Sequence, residues 1–175
     1  MLKLEFTPED ENVFELTLAL YGYQKCWQAH GSHVQAKLEE LTGLSFQQPE
    51  ITAVVVAGSV NNSGMTGKPM RVGSDYRTDN EKLAVLSHEL SHRLLGGNGV
   101  GVDSDRKDAK YAEHCRIYLF LYDAWCDLKD ESFANSAMER ELADAEYYEK
   151  AWKWALGMDR QQRSQELKKI IASKI

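Results

Sequence analysis

Apolar residues recur at helical spacing along most of this chain. Val13, Leu16 and Leu20, then Val34, Leu38 and Leu41, follow one another at intervals of three or four. With Pro8, Glu9 and Asp10 ahead of them, they predict a helix from about residue 8 toward Leu41. A break is expected near Gly31-Ser32 and a stop at Thr42-Gly43. The β-branched run Ile51–Ala57 predicts a strand buried on both faces. Residues 58–69 hold three glycines, two asparagines and a proline and predict a loop, after which Met70–Tyr76 fits a short edge strand.

Thr78-Asp79-Asn80-Glu81 has the form of a capping box, in which the Thr hydroxyl and the Glu carboxylate satisfy free backbone donors. A helix is expected from there to about Leu95, ending at Gly96-Gly97. Residues 96–106 form a Gly/Asp-rich loop. Helical patterns resume over Asp108–Leu128, over Phe133–Leu156 with Gly157 as the stop, and over Asp159–Ile175. The fold class that follows is α+β and mainly helical. It is a single domain over 1–175, with a core at about 50–128, a small sheet packed on the helix that follows it and a helical C-terminal half.

Composition limits the function classes. Hydrophobic residues make up 43% and charged residues 27%, an ordinary globular balance. The net charge is −6, and the only basic clustering is at Lys168, Lys169 and Lys174, which argues against nucleic acid as a partner. Cys26, Cys115 and Cys126 form no C-x-x-C pair and suit reduced thiols. Met1–Asp10 is charged, without the apolar stretch of a signal peptide, and no run is long enough to span a bilayer. A cytoplasmic protein with no membrane partner is expected.

The chemistry is concentrated in His88-Glu89-Leu90-Ser91-His92, an H-E-x-x-H sequence. Residues four apart share a helix face, so both imidazoles can reach one cation, and the intervening Glu lies beside them. Zinc held by three protein ligands lowers the pKa of its water, and a neighbouring carboxylate can take the proton. The helix phase supports this use. Leu83, Leu86, Leu90 and Leu94 cluster on one side, while His88 and His92 fall roughly 140–180° away. Those histidines are therefore offered to a second layer, not to the core beneath the leucines.

A third ligand is needed. The extended motif with a third His six residues further on is absent, because Leu95 and Asn98 occupy its Gly and His positions. Glu113 and His114 are the next candidates. On a continuous helix from Asp108, Ile117, Phe120, Leu121, Ala124 and Leu128 lie within about 80° of Glu113. An unpaired carboxylate in that apolar stripe is costly, and metal coordination would relieve the cost. Glu113 is preferred on this ground, with His114, about 100° away at the edge of the same face, as the alternative.

With these residues the chain resembles the gluzincin zinc metallopeptidases, the group of the thermolysin-like enzymes. The resemblance covers roughly residues 50–128 and is carried by the five-residue motif and a Glu some twenty residues later. It implies that His88, His92 and Glu113 bind Zn2+, that Glu89 is the general base, and that an edge strand, residues 51–57 or 70–76, holds an extended peptide or protein substrate. The Asp that the group carries four residues after its third ligand is replaced by Ile117. Asp123 and Asp127 are weak candidates for the partner behind the histidines, and an oxyanion stabiliser is open among Tyr111, Tyr118, Tyr122, Tyr147 and Tyr148.

Other features take plainer readings. His30 and His33 fit surface positions, Cys115 a buried thiol, and Trp125, Trp152 and Trp154 helix packing. Asp103 and Asp105 lack the Gly and closing Glu of a calcium loop. The leading expectation is a zinc metalloendopeptidase; the alternative is a catalytically silent zinc-binding regulatory or toxin-related protein.

Overall fold

The computed structural model describes residues 2–63, 67–103, 105–143 and 145–174. The loop expected over 58–69 and that over 96–106 therefore fall outside it at 64–66 and 104, and the last expected helix does so at 175.

The first element corrects the expected start of the N-terminal helix. Leu2, Leu4 and Phe6 are buried while Lys3, Glu5 and Thr7 are exposed, the period-2 pattern of a strand covered on one face. This is β1, Lys3–Pro8; the helix α1 begins only at Phe14 and runs to Thr42. No break occurs at Gly31, where the Trp27 ring closes so tightly over the backbone that a Cβ would lie 2.6 Å from it. Gly43, at φ 69°, ends α1 with its N–H donated to the Glu39 carbonyl.

β2 (Glu50–Val56) and β3 (Met70–Gly73) follow, giving a three-stranded parallel sheet in the order β1-β2-β3. Lys3 is in register with Glu50, and Ala53 with Met70. α1 is the crossover that a parallel β1–β2 pair requires. β2 is not buried on both faces. Ile51, Ala53 and Val55 are covered, while on the other face Glu50 and Thr52 are exposed, Val54 is half-buried and Val56 is buried.

α2 (Asp79–Gly97) has the expected capping box: Glu81 N–H donates to Thr78 Oγ1 and Thr78 N–H to Glu81 Oε2. It is buried nearly all round. Leu83, Leu86, Leu90 and Leu94 face the core on one side, while Ser87, His88, Glu89 and Ser91 are covered by other helices. Polar groups inside are satisfied locally. Ser87 Oγ donates to the Leu83 carbonyl and accepts from Trp125 Nε1 at 2.7 Å, and Lys82 Nζ donates to the Tyr76 carbonyl at 2.7 Å.

The C-terminal half is helical but more divided than its periodicity suggests. The expected helix 108–128 is two, α3 (Ala109–Tyr118) and α4 (Leu121–Leu128), separated at Leu119-Phe120. The expected helix 133–156 is also two, α5 (Glu131–Leu142) and α6 (Glu146–Leu156), and residue 144 between them is not described. α7 (Arg160–Ala172) starts with a second capping box, Asp159 with Gln162. It is anchored by a buried bidentate pair, Arg163 to Asp123 of α4. Trp125 and Trp152 are fully buried, whereas Trp154 is not part of the core. Among the described residues no helix is long and apolar enough to cross a membrane.

Candidate metal centre

His88 and His92 share one face of α2, and α3 brings a third imidazole, His114, against them. One ring nitrogen of each lies within 4.8 Å of the others. The His88 and His92 Nε2 atoms are 3.1 Å apart, and the His114 ring centroid lies 5.4 Å and 5.0 Å from theirs. His88 and His114 are hydrogen-bonded from behind through Nδ1, whereas His92 Nδ1 approaches a carboxylate without hydrogen-bond geometry. His88 meets Glu141 Oε1 at 2.5 Å, His92 meets Glu113 Oε1 at 2.9 Å in an ion-pair contact, and His114 meets the Lys110 carbonyl at 2.7 Å. A backbone carbonyl only accepts, so His114 Nδ1 carries a proton and its Nε2 presents a lone pair.

The structure therefore separates two residues that the sequence reading weighed together. His114, and not the preferred Glu113, joins the cluster of ligand atoms; Glu113 sits behind His92. The stripe that favoured Glu113 runs from Ile117 to Leu128, and the end of α3 at Tyr118 resets the helix phase in the middle of it. Glu113 is consequently not embedded among those apolar residues, and its side chain is 37% exposed.

The partners behind the rings are likewise not Asp123 or Asp127. Asp123 is committed to Arg163, and Asp127 to Arg160 and Lys37. Glu141, on α5, lay outside the region read as the site. Its two oxygens serve His88 Nδ1 and Trp152 Nε1, the latter at 2.9 Å. Only the inward-facing spacing of Glu141 relative to Phe133, Ala134 and Ala137 could have signalled it.

These surroundings set the protonation states of the metal-free chain. Burial disfavours the imidazolium of His88, but Glu141 outweighs burial and raises its pKa to about 9. Burial, reinforced by the neighbouring charges of His88 and His92, pushes His114 down to about 2. Burial also raises Glu89 above the usual carboxylate range, against the pull of His88 and His92. For Glu113 burial acts upward, yet the contact with His92 prevails and holds its carboxyl below that range.

The histidines floor a cleft of about 790 Å³. Asn61, Lys68, Arg71, Lys110, Tyr147, Tyr148 and Glu89 line it together with the imidazoles. Of the tyrosines considered as oxyanion stabilisers, Tyr147 and Tyr148 line this cleft. Tyr118 is buried against Trp152, and Tyr122 donates to Asn135. The edge of β3 is partly occupied, since Arg71 exchanges both backbone hydrogen bonds with Asn62.

The residues fit a divalent ion. The buried His114 Nε2 has no hydrogen-bond partner, which is costly unless it meets a cation. Three neutral-nitrogen donors suit zinc and its neighbours better than the hard, oxygen-seeking Mg2+ or Ca2+, and three protein ligands leave one position for water or substrate. No family model, no curated protein and no solved structure matches the chain.

Proposed function

We propose that the chain is a zinc-dependent metallopeptidase that hydrolyses peptide bonds in extended peptide or protein substrates. The observation that carries this reading is a buried carboxylate, Glu89, beside three convergent imidazoles on the floor of an open cleft. His88, His92 and His114 are assigned as the ligands, in place of the Glu113 set of the gluzincins. A zinc ion bound there supplies Lewis acidity, polarising the substrate carbonyl and acidifying water.

Glu89 acts as general base. It takes the proton of the attacking water and later delivers it to the leaving amine nitrogen. Its position beside the imidazoles places the carboxylate next to the site of the attacking water. Tyr148, whose ring centroid lies 4.6 Å from that of His114, is assigned as the donor to the developing oxyanion. Glu141 and Glu113 hold the rings in orientation.

The test uses the full chain and its Glu89→Gln variant, both loaded with zinc and assayed on fluorescein-labelled casein. Wild type is expected to hold about one zinc and to cleave. The variant is expected to keep its zinc and to lose roughly 10²–10⁴-fold in turnover. Zinc-loaded wild type that cleaves neither casein nor a mixed peptide library would overturn the peptidase reading.

A further inference from the structure

Trp152 and Trp154 are two positions apart on α6 and end in different places. Trp152 stacks on Tyr118 with ring centroids 3.6 Å apart, whereas Trp154 is 38% exposed. A lone surface Trp needs no explanation. Trp154, however, shares a groove of about 660 Å³ between α3 and α6 with Tyr111 and Tyr147. The two acidic side chains at its rim are neutralised: Glu146 pairs with Lys150 at 2.7 Å and Asp108 with Arg106 at 2.8 Å. Lys150 and Lys153 also line it, so the groove offers three aromatic rings framed by charged side chains.

The groove adjoins the metal cleft, and Tyr147 lines both. The Tyr147 ring centroid lies 4.5 Å from that of Tyr148 and 5.5 Å from that of His114. Lys110 Nζ stands over the same Tyr147 ring, 5.8 Å from its centroid. Tyr147 thus connects a candidate ligand histidine to the groove that Trp154 lines.

We propose that this groove is a specificity subsite, seating a bulky apolar side chain such as Phe, Tyr, Trp or Leu of a peptide whose scissile bond lies over the three histidines. The inference rests on the peptidase reading and names the substrate class for it. Tyr147 and Trp154 are seven residues apart on one helix, roughly 10 Å, which about three residues of extended peptide span. The selected side chain therefore lies three or four positions from the cleaved bond.

The test digests a mixed peptide library with the zinc-loaded full chain, reads the cleavage sites by mass spectrometry, and then compares two ten-residue peptides differing only by Phe or Ala at the preferred position. A preference for bulky apolar residues at that distance is expected, with kcat/KM for the Phe peptide higher by roughly 10- to 100-fold. Trp154→Ala should collapse this ratio, mainly through KM, while Trp154→Phe retains most of it and both variants keep their zinc. In parallel, calorimetry measures binding of the Phe peptide to zinc-loaded Glu89→Gln, alone and combined with Trp154→Ala. Cleavage without positional preference, a ratio unmoved by Trp154→Ala, or no binding to the Glu89→Gln protein overturns the subsite. Binding that requires Trp154, in a protein whose wild type never cleaves, overturns the peptidase reading and leaves the subsite standing.

Discussion

His88 Nδ1 lies 2.5 Å from Glu141 Oε1, although the two residues are 53 positions apart in the chain. The contact fixes which way the imidazole faces, because a ring held at Nδ1 must present Nε2 to the opposite side, toward His92 and His114. Glu141 is itself held, since its second oxygen accepts from Trp152 Nε1 and the Trp152 ring is stacked on Tyr118. Orientation of this proposed ligand thus depends on four helices, α2, α5, α6 and α3. Glu141→Gln is expected to weaken zinc binding by roughly 10- to 100-fold. Trp152→Phe, which removes the Nε1–H brace behind Glu141 and also shrinks a fully buried ring stacked on Tyr118, should weaken it less. Competition with a chelator of known affinity measures both. An unchanged affinity in Glu141→Gln would show that the carboxylate does not orient the ligand.

His114 and Glu113 are neighbours in sequence with separate duties. His114 Nε2 is a buried nitrogen within the ligand cluster, and Glu113 meets the far side of His92. His114→Ala should abolish stoichiometric zinc at micromolar metal, whereas Glu113→Gln should keep the zinc with an affinity reduced by about 10-fold. Metal content after gel filtration, read by elemental analysis, separates the two. If Glu113→Gln emptied the site and His114→Ala did not, the ligand assignment would be reversed.

How far the sequence can be read explains why one of these residues is easily missed. His88, Glu89 and His92 declare themselves because a single helical turn sets their relation, and the capping box at Thr78 fixes where that helix starts. His114 depends on the phase of the next helix, and the phase is legible only if its end is known. Nothing in Tyr118-Leu119-Phe120-Leu121 marks an end, since no Gly or Pro is present and the break is set by packing, with all four residues buried. Glu141 depends on how α5 docks, a tertiary relation with no local signal. β1 is a different case. The alternation of Leu2, Leu4 and Phe6 is visible, but it competes with Pro8-Glu9-Asp10, which has the composition of a helix start. The mostly helical α+β class does not depend on any of these points, because hydrophobic periodicity records the kind of element better than its boundaries.

The opposed shifts of His88 and His114 together contribute most to the stability of the metal-free chain near pH 6.5. His88 is raised to about 9 in the folded chain, so its protonated form favours folding. That contribution is complete below the unfolded pKa of about 6.5 and is lost as pH rises through about 9; its size is on the order of 3 kcal/mol. His114 is depressed to about 2, so folding favours its neutral form. Its contribution is complete above about 6.5 and is lost as pH falls below that value. Thermal midpoints of chelator-treated protein should therefore fall on both sides of pH 6.5. Zinc competes with the proton on His88, so its apparent affinity should climb by about 10-fold per pH unit between 7 and 9. A flat affinity over that range would mean that His88 is already neutral in the metal-free chain.

Gly31 lies in the middle of α1, where an alanine ordinarily stabilises a helix by up to about 1 kcal/mol. Here the sign should reverse. The Trp27 ring lies across the Gly31 backbone, and a Cβ would approach both Cδ2 and Cε2 to 2.6 Å. These are atoms of a rigid, largely buried ring, so relief requires the whole indole to move within a packed core. Gly31→Ala is expected to destabilise the chain by about 1–3 kcal/mol, read as a lower urea midpoint at unchanged slope. The cause can be isolated in a Trp27→Leu background, where the smaller side chain leaves room for the methyl group. There, adding Gly31→Ala should raise the midpoint. If Gly31→Ala lowered it equally in both backgrounds, the indole would not be the reason that glycine is needed.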